Sequence, residues 1–264
     1  MKKILTFVIA VFATLALAAC EGENSDLDSL EKVQEAGVLV MGLDATFAPM
    51  GFTDDNDEIA GYDVDLAKEV AERMGVELEL QPIDWNSKVL ELDTNKIDMV
   101  WNGFTITPER AEKVLFSEPY MNNRQVVMTL GDSIQALEDL EGKNVGVQMQ
   151  SSGQSALESS SVFDELGEMT KFDTYDLALE DLKSGRIDAV VIDEIMGRYV
   201  NNQQDDIFSV PDFSLGDEEY GIGFRSEDDA LKNEIESILR DMAEDGTGAS
   251  ISEDWFSEDL FLIE

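Results

Sequence analysis

"LELDTNKIDMVWNG" (residues 90–103) and "LEDLKSGRIDAVVIDE" (179–194) follow one plan: the end of a helix, a tight turn, then Ile-Asp-x-Val opening a strand. A second pair precedes them in the same order, "EKVQEAGVLVMGLDA" (31–45) before the first copy and "LEDLEGKNVGVQMQSS" (137–152) before the second. One helix–turn–strand unit is common in α/β chains; the same order twice predicts two related lobes. Between the copies, "VDLAKEVAERMG" (64–75) spaces its apolar residues as a helix does and stops on Gly75. "VELELQPI" (76–83) alternates as a strand should. The fold class expected is α/β, with mainly parallel sheet in each of two lobes.

The ends of the echoed strands carry the chemistry. The first runs into Asp44, the second into Gly103, Thr105 and Arg110, the third into Gln150, Ser151 and Ser152, the fourth into Asp193. Ligands of open α/β sheets bind beyond the carboxyl ends of strands, so a cleft between the lobes is the expected site. In "NGFTITPER" (102–110) Thr107 reads as a helix N-cap and Pro108 as the first helical residue. Arg110 then falls in the first turn, where the helix dipole disfavours a cation. A guanidinium fork there suits a carboxylate, with free N–H groups beside it. Two carboxylates and the Gly103 carbonyl suit an ammonium. Both charges on one carbon make a free α-amino acid. The competing reading of Arg110 is a local ion pair with Glu109 or Glu112.

Composition narrows the classes of partner. The chain has 264 residues, 58 Asp+Glu against 18 Lys+Arg, and a net charge of −40, which argues against nucleic acid and anionic membrane surfaces. So much like charge predicts stabilisation by added salt, as for a protein working in saline surroundings. There is one cysteine and no histidine, which removes Cys/His and Ser/His/Asp catalysis and histidine metal sites. No cofactor or metal is expected. At the N-terminus Lys2 and Lys3 precede an apolar stretch, Ile4–Ala16, too short to span a bilayer comfortably. It closes on Leu17-Ala18-Ala19-Cys20, which resembles the lipobox of bacterial lipoproteins. That resemblance implies a signal peptide over 1–19, acylation of Cys20, and a tether over 20–30 holding the protein at the extracytoplasmic face of the membrane.

"GLDATFAPMGF" (42–52), "GYDVDLAKEVAERMG" (61–75), "NGFTITPERAEKVLFSEPY" (102–120) and "EEYGIGF" (218–224) resemble the polar amino-acid-binding proteins of ABC importers, over roughly Leu30 to Phe256. The resemblance implies the two-lobed type II periplasmic-binding-protein fold. Lobe 1 would be discontinuous (31–121 and 220–264), lobe 2 would span 126–213, and 122–125 with 214–219 would form the hinge. It further implies that Asp44 and Asp193 receive the ligand ammonium with the Gly103 carbonyl. Arg110, with N–H or hydroxyl groups of Thr105 and Ser152, would hold the carboxylate, and Phe47 and Trp85 would face the ligand side chain. Asp63 fills a position acidic in this family whatever the substrate, and Met50 and Met99 are expected in the core. Glutamine binders of the family carry a basic residue and a histidine where this chain has Gln148 and Ile192. Asn102, Gln148 and Gln150 instead favour a polar uncharged amino acid, with a cationic one the alternative. The partners implied are an ABC permease and its ATPase subunits, the protein itself being a monomer and not an enzyme. A sensing receptor component and a dehydratase on the same fold are the competing functions.

Overall fold

The computed structural model describes residues 27–264; the signal segment, Cys20 and most of the tether lie outside the described residues. The chain opens with α1 (Ser29–Ala36), β1 (Val38–Leu43), the short strands β2 (Thr46–Phe47), β3 (Gly51–Thr53) and β4 (Ile59–Ala60), then α2 (Tyr62–Met74) and β5 (Glu77–Pro82). It continues through α3 (Lys88–Asp93), β6 (Met99–Val100), α4 (Pro108–Ala111) and β7 (Leu115–Phe116). A long strand, β8 (Met121–Thr129), leads into β9 (Asn144–Gln148), α5 (Ser152–Glu158), β10 (Glu168–Phe172), α6 (Tyr175–Lys183), β11 (Ala189–Asp193) and α7 (Glu194–Gln203). Then β12 (Ser214–Tyr220) returns to β13 (Gly223–Phe224), α8 (Asp229–Asp245) and α9 (Thr247–Phe256).

Two five-stranded sheets result, ordered β5-β1-β6-β13-β7 and β10-β9-β11-β8-β12. In each, the central strand of a parallel trio, β1 or β9, pairs with both neighbours, and the strands beyond run antiparallel. Strands β8 and β12 pair antiparallel from Met121↔Tyr220 to Val126↔Ser214 and form the crossing between lobes. Helices α8 and α9 come back to pack with α1 and α2.

Local sequence accounts for the helix bounds. On α2, Tyr62, Val64, Leu66, Ala67, Val70 and Ala71 are buried on one side, and Gly75 ends it at φ +73° with its N–H on the Ala71 carbonyl. Each large apolar side chain so buried contributes about 1.5–3 kcal/mol. The tether prediction needs correcting at its last residues. Asp28 and Glu31 form a reciprocal capping box that starts α1 at Ser29. Residues that look merely polar in sequence supply the acceptors this helix start requires. Met50 and Met99 are fully buried in the core.

The repeated motif is repeated in space. The Asp98 carboxylate accepts the Val40 N–H of β1 at 2.9 Å, and the Asp188 carboxylate accepts the Asn144 N–H of β9 at 2.8 Å. The isoleucine before each aspartate, Ile97 or Ile187, packs where a side chain on Gly42 or Gly146 would otherwise stand.

Candidate functional site

Ten of the residues singled out in the sequence line one chamber at the lobe interface: Asp44, Phe47, Trp85, Asn102, Gly103, Thr105 and Arg110 from lobe 1, Gln148, Ser152 and Asp193 from lobe 2. Gln150 does not line it, its backbone instead bonding Gln154, Arg110 and Lys88. Ser151 joins them. The chamber is narrow, about 10 Å³, which is room for one water molecule. Asp44 and Trp85 also line a vestibule of about 760 Å³ outside it, with Asp84, Asn86, Asp173 and Thr174.

Arg110 is the third residue of α4, whose N-cap Thr107 accepts the Arg110 N–H. Its guanidinium donates to the Thr105 carbonyl (2.8 Å) and, across the cleft, to the Gln150 carbonyl (3.1 Å), and lies 4.9 Å above the Phe104 ring. Glu109 pairs instead with Lys113, and among the described residues no carboxylate reaches Arg110 within ion-pair distance. The local ion pair is therefore not what the structure shows. Burial lowers the guanidinium pKa, opposed by the charges of Glu218 and Asp193.

The two aspartates are held very differently. Asp44 accepts the Thr46 N–H (3.0 Å) and hydroxyl (2.7 Å) on one oxygen and the Gln148 amide (2.7 Å) on the other. That last bond joins the lobes. Asp193, at the end of β11, accepts from Asn123 (2.8 Å), Tyr220 (2.7 Å) and Tyr175 (3.3 Å). Burial, then the charge of Glu218, raise its pKa well above the ordinary carboxylate range. An ammonium placed against it would reverse that shift.

Gly103 turns the chain at φ +55°, and a Cβ there would stand 2.8 Å from the Phe47 ring. Its N–H donates to Asp63 (2.7 Å), which also accepts the Tyr120 hydroxyl (2.9 Å). Asp63 is fully buried, and burial raises its pKa to about 7. It shapes the loop from beneath. Asn102 holds the Asp44 N–H with its carbonyl oxygen (3.0 Å), while its buried Nδ2 has no partner among the described residues. Trp85 packs edge-on to Phe104 at 5.5 Å while lining the chamber, so it is core and wall at once.

Sequence reading missed Glu218 as a site group. From β12 its carboxylate accepts from Thr105 (3.1 Å), Asn123 (3.1 Å), Gln125 (3.0 Å) and Ser152 (3.3 Å). Each hydroxyl has a single proton, so Thr105 and Ser152 present lone pairs elsewhere. What they retain as donors are backbone N–H groups. The Thr105–Tyr220 bridge is made by the flanking Ile106 and Gly221 amides, and Ser152 opens α5 without an acceptor in its own helix. Glu218 and Tyr220 stand inside the quoted "EEYGIGF" but carry no periodic or charge signal there. Asn123, Gln125 and Tyr175 were equally silent.

Two α/β lobes on a paired two-strand crossing, with a polar chamber between strand ends, define a type II periplasmic-binding protein. The chain belongs to the bacterial extracellular solute-binding proteins, family 3, whose model matches residues 39–258. It is 34% identical to the arginine-binding extracellular protein ArtP of Bacillus subtilis (strain 168), over 97% of this chain and 99% of that one. It is 30% identical to the L-cystine-binding protein TcyJ of Escherichia coli (strain K12), over 95% and 96% respectively. A crystal structure of an ABC uptake transporter substrate-binding protein from Streptococcus pneumoniae with bound histidine superposes with a TM-score of 0.86 at 36% identity, covering 89% of this chain and 98% of that one.

Proposed function

We propose that the chain captures a free L-amino acid outside the cell and delivers it to the permease of an ABC importer. One observation carries this reading: among the described residues, a guanidinium with no carboxylate partner and an acid held only by neutral donors, Arg110 and Asp193, line the same chamber from opposite lobes. Arg110, with the N–H groups of Thr105 and Ser152, would hold the carboxylate bidentately. Asp193, Asp44 and the Gly103 carbonyl would hold the ammonium. The chamber is too narrow to admit an amino acid, so entry requires the lobes to part about the β8–β12 crossing. Closure then removes water from both charged ends, where their bonds strengthen. Acylation of Cys20, attachment to the membrane and a monomeric state belong to the same reading.

For the side chain, Gln148 and the unpartnered Asn102 amide favour a polar uncharged ligand. A cationic one is the second reading, because Asp84, Glu91 and Asp173 line the vestibule against Lys96 alone, itself paired with Glu91. A thermal-shift screen of the twenty amino acids tests both. A ligand at 100 times its dissociation constant stabilises by about 2.7 kcal/mol. Glutamine or asparagine leading the series supports the first reading and arginine or lysine the second. No response to any amino acid overturns the function.

A further inference from the structure

Lys88 has no place in the ligand scheme, yet it is among the most deeply buried charged groups of the molecule, 3% exposed. It opens α3 behind Trp85, off the lining of the chamber. Its ammonium donates to the Trp85 carbonyl at 3.0 Å, within lobe 1, and to the Gln150 carbonyl at 3.3 Å, in lobe 2. It lies 4.6 Å from the Trp85 ring centroid and 5.9 Å from that of Phe104. In a chain so rich in acid, no carboxylate pairs with it among the described residues. Burial, and secondarily the charge of Arg110, lower its pKa to about 7.

The acceptor it shares is unusual too. Gln150 sits at φ +56°, a left-handed backbone that a residue with a side chain adopts only when its surroundings enforce it. Its N–H is tied to the Gln154 side chain (2.9 Å), and its carbonyl receives both Lys88 and Arg110. That carbonyl belongs to the loop joining β9 to α5, which carries Ser151 and is flanked by Gln148 and Ser152, all three lining the chamber. We infer that Lys88 is a positioning residue for closure: through the Gln150 carbonyl it holds the lobe 2 ligand loop against lobe 1.

The inference rests on the reading of the cleft as a closing ligand site, but its test needs no ligand. Hydrogen–deuterium exchange is followed by mass spectrometry on the full chain, for the wild type, Lys88→Met and Lys88→Gln. Methionine keeps the length and apolar stem but removes charge and donors; glutamine keeps a donor without the charge. Loss of the latch accelerates exchange at residues 149–153 at least tenfold in Lys88→Met and less in Lys88→Gln. A residue that merely packs lobe 1 would loosen residues 85–93 and leave 149–153 alone. Should Lys88→Met fail to fold, Lys88→Gln decides by the same comparison. Protection of 149–153 unchanged within twofold, or a change confined to 85–93, overturns the inference. The amino-acid screen stands apart: a chain that binds no amino acid but shows the loop effect loses only the proposed function. The converse result removes only the latch.

Discussion

The unit at 90–103 in lobe 1 and the unit at 179–194 in lobe 2 are alike until their strands end. In both, an isoleucine faces a glycine of the neighbouring strand and an aspartate clamps that strand's N–H. In both, a left-handed residue, Asn95 or Gly185, makes the turn, and a basic residue after it, Lys96 or Arg186, pairs back to the helix at Glu91 or Asp181. Past the strands they part. Lobe 1 leaves β6 after two residues and makes a loop that opens α4, which carries Arg110; lobe 2 continues β11 to Asp193 and enters α7 directly. A scaffold shared to within single hydrogen bonds thus delivers opposite charges to one chamber, and the difference lies only in the segment after the strand.

Replacing the lobe 1 guanidinium breaks the complementarity most. Arg110→Lys keeps the charge but loses the fork, and ligand binding should weaken by about 4 kcal/mol with the fold intact. Calorimetry with the amino acid found by screening measures it; near wild-type affinity would reassign the carboxylate. The lobe 2 charge comes next. Asp193→Asn should cost roughly 3 kcal/mol of binding, against about 1 kcal/mol for Asp44→Asn, whose oxygens are already occupied by Thr46 and Gln148. Equal losses in the two variants would mean that both lobes share the ammonium evenly.

The support beneath the lobe 1 loop also shows in pH dependence, in the same window as Asp193 of lobe 2, since burial raises both to about 7. Lobe 1's loop hangs on Asp63, whose pKa of about 7 lies above its ordinary 3.8. A folded-state pKa raised in this way adds stability below about pH 4 that is lost as pH rises through 7. Asp63→Asn should therefore remove about 4 kcal/mol of decline across that window in urea titrations at successive pH values, leaving the part due to Asp193. An identical slope in the variant would place the titration elsewhere. At the strand clamps, Asp188→Ala should lose about 1 kcal/mol of stability. Asp98→Ala should lose somewhat more, because Asp98 also lies 3.6 Å from the buried Arg225. The smallest effect is common to both lobes: melting should move up by a few degrees between 0.05 and about 1 M NaCl as screening shortens the reach of the acidic charge. A flat curve would remove the saline reading.

The elements most legible in the sequence were those fixed by local rules. The stop at Gly75, the alternation of 76–83 and the Ile-Asp-x-Val strand openings each follow from backbone geometry or burial within a few residues. Asp44, Gly103, Thr105, Arg110, Ser152 and Asp193 were legible because strand ends are where such sheets bind ligands and the echo marked four such ends, whereas Phe47 and Trp85 came only from the family resemblance. Glu218 and Lys88 were not. Each is one polar residue whose meaning comes from groups 60 or more positions away, such as Ser152 for the first and Gln150 for the second. The start of α1 was missed because Asp28 read by composition as tether, although its spacing to Glu31 is that of a capping box.

The paired strands that cross between the lobes restrict what the molecule can do mechanically. Six registered positions run along β8 and β12, broken by one irregularity between Ser214 and Gly216. Sliding one strand past the other by a residue would disconnect the ladder and turn every side chain to the opposite face, so translation is blocked. Bending and twisting keep the rungs, and the irregular step is where the ribbon yields most easily. The proposed parting of the lobes would thereby be close to a single rotation. One distance, between a probe near Leu90 and another near Leu177, both exposed, would then track the whole conformational coordinate.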